Sequence, residues 1–244
     1  EDCVLTVQDG DATRPPIHEQ VAMVSVQSRR SSETMIMMDP QPMMSQSTAI
    51  TLERCIARGE ATFVVLADET PLTVRWNQGL LVTSRRLIET SGSASDPKWF
   101  EKIDLKLNSV TAICREGLHQ MRRGAGKGYQ LPLDVAAEHC ILATDPATPL
   151  FEFVGGPTGS EDELRLQSSG DSNCYPNADV VFLRVRSGIP GERDQDFELD
   201  DRRWSVENRS QVGNPWLRHP PRDSPAHMLN KSDFMADPEL AAGA

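Results

Sequence analysis

Aromatic residues are scarce, 5% of the 244 positions, and cations are outnumbered, with 25 Lys and Arg against 36 Asp and Glu. The resulting net charge of −11 speaks against a nucleic-acid partner, because a phosphate backbone is gripped by clustered positive charge. Long hydrophobic runs are absent as well. The longest wholly apolar stretch, Phe63 to Ala67, is far short of the ~20 residues that cross a bilayer, and Glu1-Asp2-Cys3-Val4 does not have the pattern of a signal peptide. A soluble chain with no membrane span is expected, with no compartment indicated. Glu1 is no initiator methionine and Cys3 already sits in a patterned segment, so the sequence reads as a piece of something longer.

Metal, thiol and nucleotide signatures are also lacking. The five cysteines form no C-x-x-C pair, which excludes a zinc ribbon or thioredoxin motif, and the five histidines show no H-E-x-x-H spacing. A G-x-S-x-G nucleophile elbow is absent. Arg122-Arg123-Gly124-Ala125-Gly126-Lys127-Gly128-Tyr129 lacks the Ser or Thr of a phosphate loop and reads as a surface loop. No window carries a capped helical stripe, which removes ankyrin, tetratricopeptide and doubly wound architectures.

What is present is a hidden period. Glu1-Asp2-Cys3-Val4, Glu53-Arg54-Cys55-Ile56 and Glu138-His139-Cys140-Ile141 are one local pattern three times over, which predicts thiols stacked inward as small hydrophobes; use as ligands or redox groups is the alternative. Anchored on these copies, the short alternating strands Ile50-x-Leu52, Val74-x-Trp76, Leu105-x-Leu107, Val135-x-Ala137 and Leu164-x-Leu166 follow at separations of 24, 31, 30 and 29 residues. Each is followed by a carboxylate or amide (Glu53, Asn77, Asn108, Glu138, Gln167), and three places on by a small or modest residue. A second apolar stretch completes each unit, as in Phe63-Val64-Val65-Leu66 or Val180-Val181-Phe182-Leu183-Arg184-Val185. Strand, bend, strand and loop at about 30 residues is the plan of a parallel β-helix, a rod roughly 30 Å long at a spacing of about 4.8 Å per coil. The expected organisation is a single-stranded, right-handed parallel β-helix over 1–186 and an irregular tail over 187–244. Residues 27–48, with Met35, Met37, Met38, Met43 and Met44, form a loop insertion that covers an end or flank. The tail holds six of the seventeen prolines and is expected to act as a cap through Trp204 and Trp216.

Period-two alternation places Thr73, Asp104, Asp134 and Glu163 outward in one column, with Arg75, Lys106, Ala136 and Arg165 beside them. Mutual charge compensation is one reading. The other is chemical: Asp104, Asp134 and Glu163 would bind Ca²⁺, which prefers carboxylates, while a neighbouring cation assists proton abstraction from an acidic sugar.

The strings Leu52-Glu53-Arg54-Cys55-Ile56-Ala57-Arg58-Gly59-Glu60, Trp76-Asn77-Gln78-Gly79-Leu80-Leu81-Val82-Thr83 and Val110-Thr111-Ala112 resemble turns of the pectate-lyase-like right-handed β-helix superfamily. More narrowly they are similar to β-helix regions of large bacterial proteins, some linked to serine/threonine protein kinase domains. The resemblance covers about residues 1–186. It implies a fold; the Asn-Thr-Asp, Gly-His-Gly and Arg-Ile-Lys strings of its hydrolases are missing, as are all kinase motifs, and the only paired aspartates, Asp200-Asp201, lie in the tail. The expectation is a non-catalytic scaffold or recognition region with no cofactor and with a protein or carbohydrate surface as partner. The alternatives are a Ca²⁺-dependent polysaccharide lyase and a carbohydrate-binding β-helix that uses Tyr129, Tyr175 or Trp99.

Overall fold

A chain whose apolar residues alternate along short strands must bury one face of each, and stacking the strands in parallel buries a continuous interior. The computed structural model describes residues 1–8, 21–27, 48–66, 70–92, 96–98, 101–123, 129–156, 165–177, 179–213, 225–229 and 233. In it the chain winds as an all-β parallel solenoid. The leading partial coil holds β1 (Val4–Val7) and β2 (Ala22–Val26). Next come β3 (Thr48–Gly59) with β4 (Thr62–Leu66), β5 (Leu72–Thr83) with β6 (Ile88–Ser91), and β7 (Ile103–Cys114) with β8 (His119–Arg122). The later coils are β9 (Leu133–Glu138), β10 (Ile141–Ala143) and β11 (Phe151–Gly156), then β12 (Leu166–Asp171), β13 (Cys174–Tyr175) and β14 (Val181–Ser187).

One sheet of ten strands contains the bent first strands, and the six parallel strands of the second run from β2 through β4, β6, β8 and β11 to β14. The interior is built from rows. Leu72, Ile103, Leu133 and Leu166 are register partners, as are Leu52, Trp76, Leu107 and Ala137. In the second sheet the rows are Val24, Val64, Ile88, His119, Phe151, Leu183 and Val26, Leu66, Thr90, Met121, Phe153, Val185. Burying each large aliphatic or aromatic side chain contributes roughly 1.5–3 kcal/mol.

His119 is the polar member of its row, 7% exposed, with Nε2 3.1 Å from the Thr90 hydroxyl. Burial, aided by Arg86, lowers its pKa from 6.5 to about 3, so the imidazole is neutral at ordinary pH.

The bend within each long strand has a single cause. Asp2, Arg54, Gln78, Ser109, His139, Ser172 and Arg209 all take positive φ, between 48° and 56°. A left-handed residue puts two side chains outward in succession, here Glu53 and Arg54, before Cys55 turns in again, and so breaks the strand direction without breaking the ladder. Each such residue costs roughly 1–2 kcal/mol. Contacts between coils offset this: Arg54 Nε lies 2.7 Å from Asp2, and Asn77 Nδ2 donates to both Glu53 oxygens at 3.1 Å. Sizes are matched across the bend. A Cβ on Gly79 would meet Trp76 Nε1 at 2.0 Å and the Cys55 carbonyl oxygen at 2.6 Å, so the tryptophan requires the glycine.

Two particulars differ from the sequence reading. The fifth register lies four residues later: Ser168 and Gly170, not Leu164 and Leu166, pair with Val135 and Ala137. The bend chemistry of the earlier coils repeats at Asp171-Ser172-Asn173, with Ser172 at positive φ, and fixes this register. Coil pairing also passes the boundary expected at 186. The segment from Ser187 is rich in irregular turns, yet β15 (Gln195–Glu198) pairs antiparallel with β14, while β16 (Ser205–Asn208) and β17 (Gln211–Val212) add a parallel rung to β12 and β13. Trp204, 7% exposed, packs edge-on against Phe197 at 5.9 Å over this end of the coil. Farther along, a 3-10 turn, Ala226–Met228, lies on the outside of the first sheet, where Ala226 and Leu229 cover Leu80, Val82, Ile113 and Ala143. Trp216 and nearly all of the methionine-bearing insertion, residues 28–47, lie outside the described residues.

Candidate functional site

Alternation along β7, β9 and β12 places Asp104, Asp134 and Gln167 outward in successive register positions. Thr73 precedes Asp104 in this column, and the neighbouring one reads Arg75, Lys106, Ala136, Ser169 and Val206. The structure thus brings together two of the three carboxylates expected as Ca²⁺ ligands, Asp104 and Asp134. Gln167 holds the register position next to Asp134, and Glu163 lies outside the described residues. Arg165 is four residues off the column assigned to it, 3.6 Å from Asp96.

Both carboxylates already have cations. Lys106 Nζ is 3.1 Å from Asp104, and Lys102 donates to Asp134, whose carboxylate holds the ammonium above its ordinary pKa. Among the described residues no group of three or more His, Cys, Asp or Glu is placed to hold a metal ion. Two carboxylates and an amide oxygen supply fewer oxygens than the 6–8 that Ca²⁺ takes, so a full shell needs water and ligand atoms.

The columns form the floor of a groove of about 460 Å³ whose other wall is the turn Arg202-Arg203-Trp204. Ala136 and Ser169 keep the floor low, and Arg203 is fixed over the rings of Phe197 at 5.1 Å and Trp204 at 5.9 Å. Arg202 makes no hydrogen bond or ion pair among the described residues.

Through Arg202, Ser205 and Val206 the groove runs into a cavity of about 1000 Å³ at the C-terminal mouth of the coil. Asp179, Asp196, Glu198, Asp200 and Glu207 line this mouth, against Arg202 and Arg209. The unexpected member is Glu207, an inward carboxylate in the row that holds Leu107, Ala137 and Gly170 in earlier coils. Its Oε2 accepts from Ser210 Oγ at 2.6 Å and Asn173 Nδ2 at 3.2 Å, while Oε1 is buried without a hydrogen-bond partner. Ser205 Oγ, on a residue 2% exposed, is likewise unpartnered. A buried polar group left unpaired costs roughly 1–3 kcal/mol, and both of these belong to residues that line the mouth. The alternation rule that found Asp104 and Asp134 assigns carboxylates outward and so could not find Glu207. A usable signal was there: Asn208-Arg209-Ser210 repeats the polar, left-handed, small sequence of the earlier bends.

Of the aromatics expected to meet a sugar, Tyr129 is 46% exposed, whereas Tyr175 points inward at 2% exposed, where burial and Glu207 push its phenol pKa up. Trp99 lies outside the described residues. A second polar cluster lies on the outer face of the second sheet: Glu152, 5% exposed, forms an ion pair with Arg186 Nε at 2.8 Å and accepts from Arg86 at 3.4 Å and from Gln120. It ties coils together. No family model, curated protein or solved structure matches the chain.

Proposed function

We propose that this chain is a non-catalytic recognition region, and that it holds its ligand at the C-terminal end, in the groove and mouth together. The observation that carries the reading is a pair of unsatisfied buried groups, Ser205 Oγ and Glu207 Oε1, on two residues that line a cavity continuing into a polar groove. Acceptors on Asp104, Asp134, Gln167 and Glu207, with a donor on Arg202, suit a hydroxyl-rich chain, and carbohydrate is the class we assign. The resemblance of its turns to pectate-lyase-like β-helices supports placing it in a larger bacterial protein, of which some carry a kinase domain. A glycan array followed by calorimetry tests the reading. A hit whose affinity falls tenfold or more in Glu207→Gln and in Arg202→Ala supports it; an array without hits removes it.

The adjacency of Asp104 and Asp134 favours one second reading, a Ca²⁺-dependent lyase. It requires calorimetric Ca²⁺ binding that Asp134→Ala abolishes, together with unsaturated-sugar absorbance from acidic polysaccharides; absence of both eliminates it.

A further inference from the structure

At the opposite end of the coil, two thiols face each other. Asp2 N–H donates to the Glu53 carbonyl at 2.9 Å and Ile56 N–H to the Cys3 carbonyl at 2.8 Å, so the ladder brackets Cys3 and Cys55 from both sides. Their sulfurs are 2.8 Å apart, and both cysteines are free thiols. In-register neighbours on parallel strands lie about 4.8 Å apart, inside the Cα separation of about 4.4–6.8 Å that a disulfide spans. The third copy of the pattern has no such partner, because Gly79 and Val110 separate Cys55 from Cys140 in the inward row. Accessibility is divided as well: Cys3 is exposed and Cys55 is 1% exposed.

We propose that Cys3 and Cys55 are an oxidisable dithiol, converted by a low-molecular-weight disulfide such as oxidised glutathione into a bond that staples β1 to the coil. The exposed Cys3 thiolate attacks one sulfur of the small disulfide, whose S–S bond breaks. A mixed disulfide forms on Cys3, and the first small thiolate leaves with the proton that Cys3 lost. Cys55, buried beside Cys3, then attacks the Cys3 sulfur and expels the second small thiolate, which takes up the Cys55 proton. Two protein thiols lose two electrons, and one small disulfide becomes two thiols. The strand gained is one that needs holding, since Val4 is 64% and Leu5 37% exposed at this edge.

The test is to incubate the full chain with oxidised glutathione, alkylate it and map peptides without reductant. The expected result is a Cys3–Cys55 linked peptide, an intact mass lower by about 2 Da, and slower amide exchange in β1. Cys55→Ser should stop at the first step and retain glutathione on Cys3. Glutathione that persists on Cys3 in the unaltered protein, or both thiols still alkylatable, overturns the proposal. The map of the unaltered protein decides alone if Cys55→Ser does not fold.

Discussion

The middle coils and the last ones are built on the same backbone plan with opposite interiors. Along the first sheet the inward rows run Val74, Leu105, Val135, Ser168, Ser205 and Leu107, Ala137, Gly170, Glu207, from apolar to polar. Beyond the bend, Val110 is replaced by Asn173, whose side chain accepts from Cys140 N at 2.9 Å and donates to the Ala137 carbonyl at 2.9 Å. The second sheet does not change in this way: Phe151, Phe153, Leu183 and Val185 stay buried. The coil is therefore held shut on one side by packing while its other side acquires hydrogen-bonding groups. That is how a solenoid can carry a polar mouth without losing its stack.

The contrast can be broken most forcefully through its two tryptophans. Trp76, 1% exposed and 5.2 Å from Phe63, sits between coils, so Trp76→Ala should lower the unfolding free energy by about 4 kcal/mol. Trp204 covers only an end, and Trp204→Ala should cost roughly 2 kcal/mol by the same denaturant titration. Equal losses would mean that the last rung is packed like the middle.

The two glycines give the next comparison. Gly79→Ala meets backbone as well as the indole and should cost about 2–3 kcal/mol. Gly170→Ala first meets the end of the Glu207 side chain, with Oε2 at 2.0 Å, and should cost about 1 kcal/mol, which Glu207→Ala in the same chain erases. Loss of that rescue would separate Glu207 from the interior.

Acid should act on the apolar sheet through His119. Its folded pKa is depressed to about 3 while the unfolded value is 6.5, so the unfolded chain binds the extra proton. Stability is full above pH 6.5 and should fall through this residue by about 1.4 kcal/mol per pH unit from there toward pH 3. His119→Leu should flatten that part of the profile, and an unchanged slope would contradict neutral burial. The smallest effect belongs to the bends: Ser109→Gly and Ser172→Gly relieve left-handed strain and should each stabilise by about 0.5 kcal/mol after the added glycine entropy.

The same contrast explains what the sequence could reveal. Where the interior is apolar, alternation located the rows correctly, from Ile50-x-Leu52 through Val135-x-Ala137. Where Ser168 and Gly170 take the inward places, the nearest apolar pair, Leu164 and Leu166, drew the register four residues out. The bends were visible only as a polar residue before and a small one after. The residue that makes them is Asp, Arg, Gln, Ser or His in different coils, because what they share is φ and not side-chain chemistry. Asp104 and Asp134 were legible because an outward carboxylate obeys alternation; Gln167 was hidden by the slipped register, and Glu207 because it breaks the rule.

The most direct measurement of the polar turn in the interior is a pair of cysteine cross-links, one in V135C/S168C and one in V135C/L164C, mapped as peptides after mild oxidation. The register described here predicts a bond in the first protein and none in the second. A bond in the second alone would return Leu164 to the interior, restore an apolar row to the last coils and leave the mouth without its polar lining.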